Sequence, residues 1–400
     1  MFSIYAIVGI GLVQLVLQLV SAQGGCSSIA MRRDILSLSP QEWNRMVSVF
    51  NRMQADGWIA RFADIHNREF GNIHGNDNFF PFHRRFLREF EEVGQGYDPS
   101  FAVPYWDELR DSRSPAASTV LSSRLLGGNG FGSCVRDGFE ASWTLSFPSP
   151  HCLARQYDMG SQIQPWYSPE YIYSVMQRYS DMHGFRENIE YSIHGSVHLG
   201  IGGDMGTYWS PNDFAFYLHH ANLDRIWDQW QSWGNSMTMD GRNQNGIPMS
   251  MNLPLPYYGE PVGSTMRIGV GRMCFRYAGN GGGRSAAGTI ALVSAPLRGG
   301  LGSADSGLSR LPRSVLEKWF PTIAREVGPN GGATTMPPAA PGNSTRGATI
   351  SGKGMLPYPA PLTEMWISMH KLDRKAVAKV MAEARQFVDD LNRANYTSPY

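Results

Sequence analysis

Apolar positions along the chain recur mostly at helical spacing. Phe62, Ile65, His66 and Phe70 fall on one face of a helix predicted to start near Gln41 or Asn51. His83, Phe86, Leu87 and Phe90 share a face of another, and His74 lies between the two in a polar turn over Gly71–Asn78. Two more helices are predicted over Pro169–His183 and Arg186–Ser196. Ser210–Asp213 then sets Pro and short polar groups ahead of an apolar run, which marks a helix start. Phe216, His220, Leu223, Trp227 and Trp230 repeat after it and put His220 on the buried stripe.

Other stretches read differently. Asp111–Ser168 is dense in Ser, Gly and Pro and predicts long loops. Gly279–Gly307 and Gly328–Gly354 read as flexible linkers, with a short helix predicted between them in Pro312–Val327. Val377, Val380, Met381, Ala384, Phe387, Val388 and Leu391 then form an amphipathic stripe after Asp373, on a helix that must dock on something. Met1–Ala22 is almost wholly apolar and ends in small residues, so it is expected to be a cleaved export signal that leaves a secreted chain, with an uncleaved anchor as the alternative. The expected architecture is mainly α: a four-helix bundle with long loops in residues 23–278, a linker over 279–355, and a C-terminal segment over 356–400.

Composition changes this picture little. With 42% hydrophobic residues the chain can build a large core, and its net charge of +1 offers no field for nucleic acid. No membrane contact is expected once the signal is gone, and oligomeric state is not readable.

The histidines carry the chemistry. His194 and His198 are four apart, so both project from one helix face, and His220 can join them from the next helix. His66, His74 and His83 form a second triplet. Two such triplets are what a paired-metal site inside a helix bundle requires. Six imidazoles without carboxylate or thiolate favour copper, with zinc the alternative, and three ligands per ion leave room for a small molecule. A zinc hydrolase would be expected to add bridging carboxylates, and none fits. His151, His183 and His370 match no ligand position and are expected to be structural or surface residues.

These motifs resemble the type-3 copper proteins, the tyrosinases, catechol oxidases and haemocyanins. The second-copper signature of that family, His-x3-His followed by S-P-N-D-P-x-F-x-L-H-H-x-x-x-D-R-x-W, appears here as His194, His198 and the run from Ser210 to Trp227. The first-copper signature appears as His74, His83 and the residues to Glu91, and the likeness extends from about Arg32 to Tyr277. The resemblance implies two copper ions held by His66, His74, His83 and by His194, His198, His220. It implies O2 as co-substrate and a phenolic small molecule as substrate, with o-diphenols converted to o-quinones. The alternative activity is reversible O2 carriage of the haemocyanin kind.

Further residue roles follow, some from spacing around the ligands (Asp224, Phe79, Phe216) and the others from the resemblance. His219 is expected beside the ligands rather than among them. Asp224, one turn after His220, is expected to orient a ligand. Phe79 and Phe216, each four before a ligand, are expected to wall the site with aromatic surface. Glu190 matches the family's water-holding carboxylate, with Glu187 as rival. Gly195 stands where relatives often carry Asn, which argues against strong hydroxylation of monophenols. Asn72 replaces a Cys that many relatives link to the His74 position, and Phe214 replaces the signature's Pro.

The four cysteines allow three pairings. Cys134–Cys152 is expected as a local staple in the loop region. Cys26–Cys274 is expected as a clasp because the family packs an Arg near the start on a Tyr near the core's end, here Arg33 and Tyr277. Asn343 and Asn395 head glycosylation sequons. For the C-terminal helix simple docking on the core is favoured; the resemblance offers instead a segment that shields the copper site.

Overall fold

The computed structural model describes residues 25–130, 132, 134–235, 239–279, 307–328 and 354–400. The expected export signal, both Gly-rich linkers and Asn343 lie largely or wholly outside these residues. Strand β1 (Ala30–Arg32) is followed by α1 (Pro40–Ala55), α2 (Trp58–Ile73) and α3 (Phe79–Tyr97). Ser39 starts α1 with a reciprocal cap: its hydroxyl accepts from the Glu42 N–H while the Glu42 carboxylate accepts from the Ser39 N–H. Gly57, at φ 80°, separates α1 from α2, a backbone conformation that glycine adopts without strain.

The loop region carries only short turns and the paired strands β2 (Thr144–Leu145) and β3 (His151–Cys152). The Cys134–Cys152 disulfide staples it, as expected. After α4 (Pro169–Arg178) comes α5 (Met182–Ile189), which runs through a π-turn (Glu190–His194) into α6 (Gly195–Ile201). Helix α7 (Phe214–Ser232) completes the bundle: α2, α3, α5–α6 and α7 surround the six histidines. Phe214, at the signature's Pro position, is buried with its ring 3.9 Å from Phe50, while Asp213 caps the helix by accepting from the Ala215 N–H. Among the described residues no helix is long and apolar enough to cross a membrane.

The two ends of the core meet as expected. β4 (Phe275–Tyr277) lies parallel to β1, pairing Ala30 with Phe275 and Arg32 with Tyr277, and the Cys26–Cys274 disulfide closes this corner. The arginine on Tyr277 is Arg32, not Arg33. Strand residues alternate sides, so Arg32 turns inward while Arg33 points out and pairs with Glu42 at 2.6 Å.

Asp224 is corrected by the same knot. It accepts from Tyr277 Oη at 2.6 Å and from Arg84 Nε at 2.5 Å, with Arg32 3.4 Å away, and it has no bond to a histidine. One helical turn carries it about 5 Å along α7 from His220, away from the ring nitrogens and toward buried guanidinium groups. Asp224→Ala is therefore expected to cost about 3–5 kcal/mol, because it strands buried cations. Denaturant midpoints check this, and the number of bound metal ions should not change.

The C-terminal part holds α8 (Arg313–Trp319), α9 (Pro321–Glu326), α10 (Glu364–Met369) and α11 (Arg374–Arg393). The predicted short helix of Pro312–Val327 is thus two. The final helix docks as its stripe requires: Phe387 packs 5.4 Å from both Tyr171 and Trp319, and Asp390 accepts from Lys318 and from the Trp319 indole at 2.9 Å.

Candidate metal centre

Each histidine is brought in by a different local device. His66 lies on the buried stripe of α2, His74 ends that helix, and His83 faces inward from the first turn of α3. Their ligand atoms lie within 4.8 Å of one another, as do those of His194, His198, His219 and His220. The two groups adjoin: the rings of His83 and His220 stack at 4.2 Å and those of His74 and His194 at 5.7 Å. All six predicted ligands are at most 3% exposed.

Their hydrogen bonds fix which nitrogen is free. Nδ1 donates to a backbone carbonyl in His66 (Tyr208, 2.7 Å), His74 (Phe70, 3.0 Å), His83 (Phe79, 2.7 Å) and His198 (Met205, 2.6 Å). A carbonyl can only accept, so the proton sits on Nδ1 and Nε2 turns a lone pair to the centre. Nε2 of His66 and of His83 and both ring nitrogens of His194 are buried without a partner. Orphaned buried nitrogens are costly unless something binds them. Nε2 of His198 and Nε2 of His220 are 3.4 Å apart, a spacing that suits two nitrogens each about 2 Å from one ion. Burial pushes His66 and His198 down to about 3 and the other four well below the usual imidazole range, so all are neutral at physiological pH. Among the described residues neither group contains a carboxylate or thiolate. This donor set fits two copper ions.

The residues around the histidines depart from expectation in instructive ways. Phe79 (4.8 Å from His194) and Phe216 (4.3 Å from His220) wall the site as predicted. His219, expected next to the ligands, lies within the second group by distance, with Nδ1 hydrogen-bonded to Glu108 at 2.5 Å and Nε2 buried without a partner. His220, rather than His219, is the one stacked on His83 of the first group. His151 and His183 pair with Asp204 and Asp77, each at 2.9 Å, and serve structure as expected. The π-turn inserts an extra residue before His194, so Glu190 no longer lies directly over it. Glu190 instead accepts from the Gly75 N–H at 2.6 Å and from Arg186 at 3.0 Å, bracing the loop that holds His74. Glu187 pairs outward with His183 and Arg186.

One element was misjudged from the sequence. The segment from Leu362 through α10 to His370 lies across the mouth of the site. Trp366 sits 5.4 Å from His198 and 5.9 Å from His194, and His370 sits 4.9 Å from His74. His370 is therefore not a surface residue but a packed one, and the C-terminal segment covers the centre as well as docking on the core. The cover seats on Gly195: a Cβ there would lie 2.4 Å from Leu362 Cδ2 and 3.0 Å from Trp366 Nε1. The signal was present in the spacing of Leu362, Trp366 and His370, which places an indole and an imidazole on one helix face.

Comparison with known proteins agrees with this geometry. The common central domain of tyrosinase matches residues 56–233. A tyrosinase of Streptomyces antibioticus is 32% identical over 229 residues, covering 51% of this chain and 83% of that one. A tyrosinase of Streptomyces lincolnensis is 35% identical over 217 residues, covering 49% and 75%. A polyphenol oxidase variant from Thermothelomyces thermophila shares the fold, with a TM-score of 0.52 at 21% identity over 66% of this chain and 92% of that one.

Proposed function

This chain belongs to the tyrosinase family of copper proteins, and from that premise we propose that it is a phenol oxidase that converts o-diphenols to o-quinones with O2. The observation that carries the reading is the convergence of two buried, all-imidazole groups, one of three and one of four, that hold several unpartnered nitrogens. His66, His74, His83 and His194, His198, His220 would hold the copper ions, which when bound would supply O2 binding and electron transfer. Each diphenol loses two electrons and two protons, and two turnovers reduce one O2 to two waters.

The chain's own residues set the conditions. The carbonyl bonds to Nδ1 hold four of the six rings in fixed orientations, so little reorganisation accompanies turnover. Phe79 and Phe216 supply flat apolar walls for a phenol ring. Glu190, pushed up to about 7 by burial against the pull of Arg186, can exchange a proton near neutrality while it braces the His74 loop. The seated cover occupies the approach to the histidines, so the closed chain is a latent form. We further propose that hydroxylation of monophenols is weak, since Gly195 offers no side chain to position a water, and that the chain is exported, where its two disulfides persist.

Oxygen uptake by the copper-loaded chain, before and after the cover is displaced, tests the reading. Uptake is expected with a simple catechol and little with the matching monophenol. Reversible O2 binding without uptake, cover displaced, would instead indicate a carrier.

A further inference from the structure

The second group of histidines has four members, and His219 is the one the dinuclear reading leaves without a task. Its ring lies 5.1 Å from His198, 5.2 Å from His220 and 5.7 Å from His194. The three rings of the first group stand 5.1, 5.7 and 5.1 Å apart. His219 is thus as close to its neighbours as those ligands are to one another. Its side chain is fully buried, and its Nε2 has no partner among the described residues, like Nε2 of His66 and of His83. Two nitrogens each about 2 Å from one ion are at most about 4 Å apart. The four ligand atoms lie within 4.8 Å of one another, so a small closure of the rings brings them onto one ion.

The far side of the ring is held as a ligand's would be. Nδ1 meets the Glu108 carboxyl group at 2.5 Å, and the other oxygen of Glu108 accepts from Asn222 Nδ2 at 2.8 Å. A carboxyl group behind an imidazole fixes the ring and raises its basicity toward a metal. For packing alone, Phe would fill this space without stranding a buried nitrogen.

We propose that His219 Nε2 is a fourth donor to the copper held by His194, His198 and His220, with Glu108 as its positioning residue. The proposal rests on the dinuclear copper reading above and makes the two positions unequal, three imidazoles against four. Four nitrogens complete the tetragonal set that suits Cu(II), so the second position holds its ion more firmly. The first position, with three, keeps more room for a small molecule.

The test uses the full, copper-loaded chain as wild type, His219→Asn and His219→Phe. Asparagine keeps a side-chain N–H for Glu108 and removes Nε2; the Phe variant serves if the first does not fold. Excess chelator is added and copper release is followed. When one Cu(II) per chain remains, the nitrogen splitting of its electron paramagnetic resonance spectrum counts its imidazoles. Wild type is expected to release this last copper about tenfold more slowly than the variants, and to show one more nitrogen on it. Equal release or equal nitrogen counts, with two coppers bound at the start, would overturn the fourth donor and leave the dinuclear reading standing. Fewer than two coppers in wild type at the start would overturn both.

Discussion

The His83→Ala protein is expected to bind one copper fewer than wild type and to lose phenol oxidation by at least about a hundredfold. His83 is where the two triplets meet: its Nε2 is buried without a partner, and its ring stacks on His220 at 4.2 Å. Alanine removes a donor from one ion and the lateral support of a donor to the other. The side-chain hydrogen bond to the Phe79 carbonyl that fixed the ring is lost as well. Metal content, oxygen uptake and circular dichroism on one preparation separate loss of copper from loss of fold. Two bound coppers with full activity in a folded His83→Ala protein would refute the ligand assignment.

Trp366→Ala is expected to act in the opposite direction and raise kcat/KM for a catechol by roughly 10–100-fold. The indole is 2% exposed and packs on His370, near His194 and His198, so it forms much of the roof. Losing the burial of such a side chain removes about 1.5–3 kcal/mol from the seated state. Since about 1.4 kcal/mol is a tenfold change in an equilibrium constant, the open fraction rises accordingly. Gly195→Asn should shift the balance the same way, because its Cβ would collide with Leu362. Steady-state oxygen uptake against catechol concentration checks both variants. An unchanged kcat/KM in Trp366→Ala would mean that phenols reach the histidines past the cover.

The contrast between the histidine centre and its cover shows what a single sequence makes legible. The ligands could be read because their spacing is local: His194 with His198, and His83 with Phe86 and Phe90, obey helix geometry within a few residues. The bundle followed from the same periodicity. Arg32 escaped because choosing between adjacent arginines depends on the register of β1 against a strand that follows in the chain only after Met273. Asp224 escaped because its partners come from α3 and β4, and helix spacing alone favoured the nearer histidine. The π-turn that moves Glu190 leaves no periodic trace over five residues. His370 was set aside because it matched no motif, although it shares a face with Trp366. Which surface such a face covers is a long-range packing outcome, and local pattern does not encode it.

The central claim is that the six imidazoles hold a pair of copper ions. Metal analysis of the full chain, loaded with copper and freed of loosely bound ions, tests it most directly. The account predicts two copper ions per chain, and one after His83→Ala. A single ion in the wild-type chain, or zinc retained in place of copper, would contradict it.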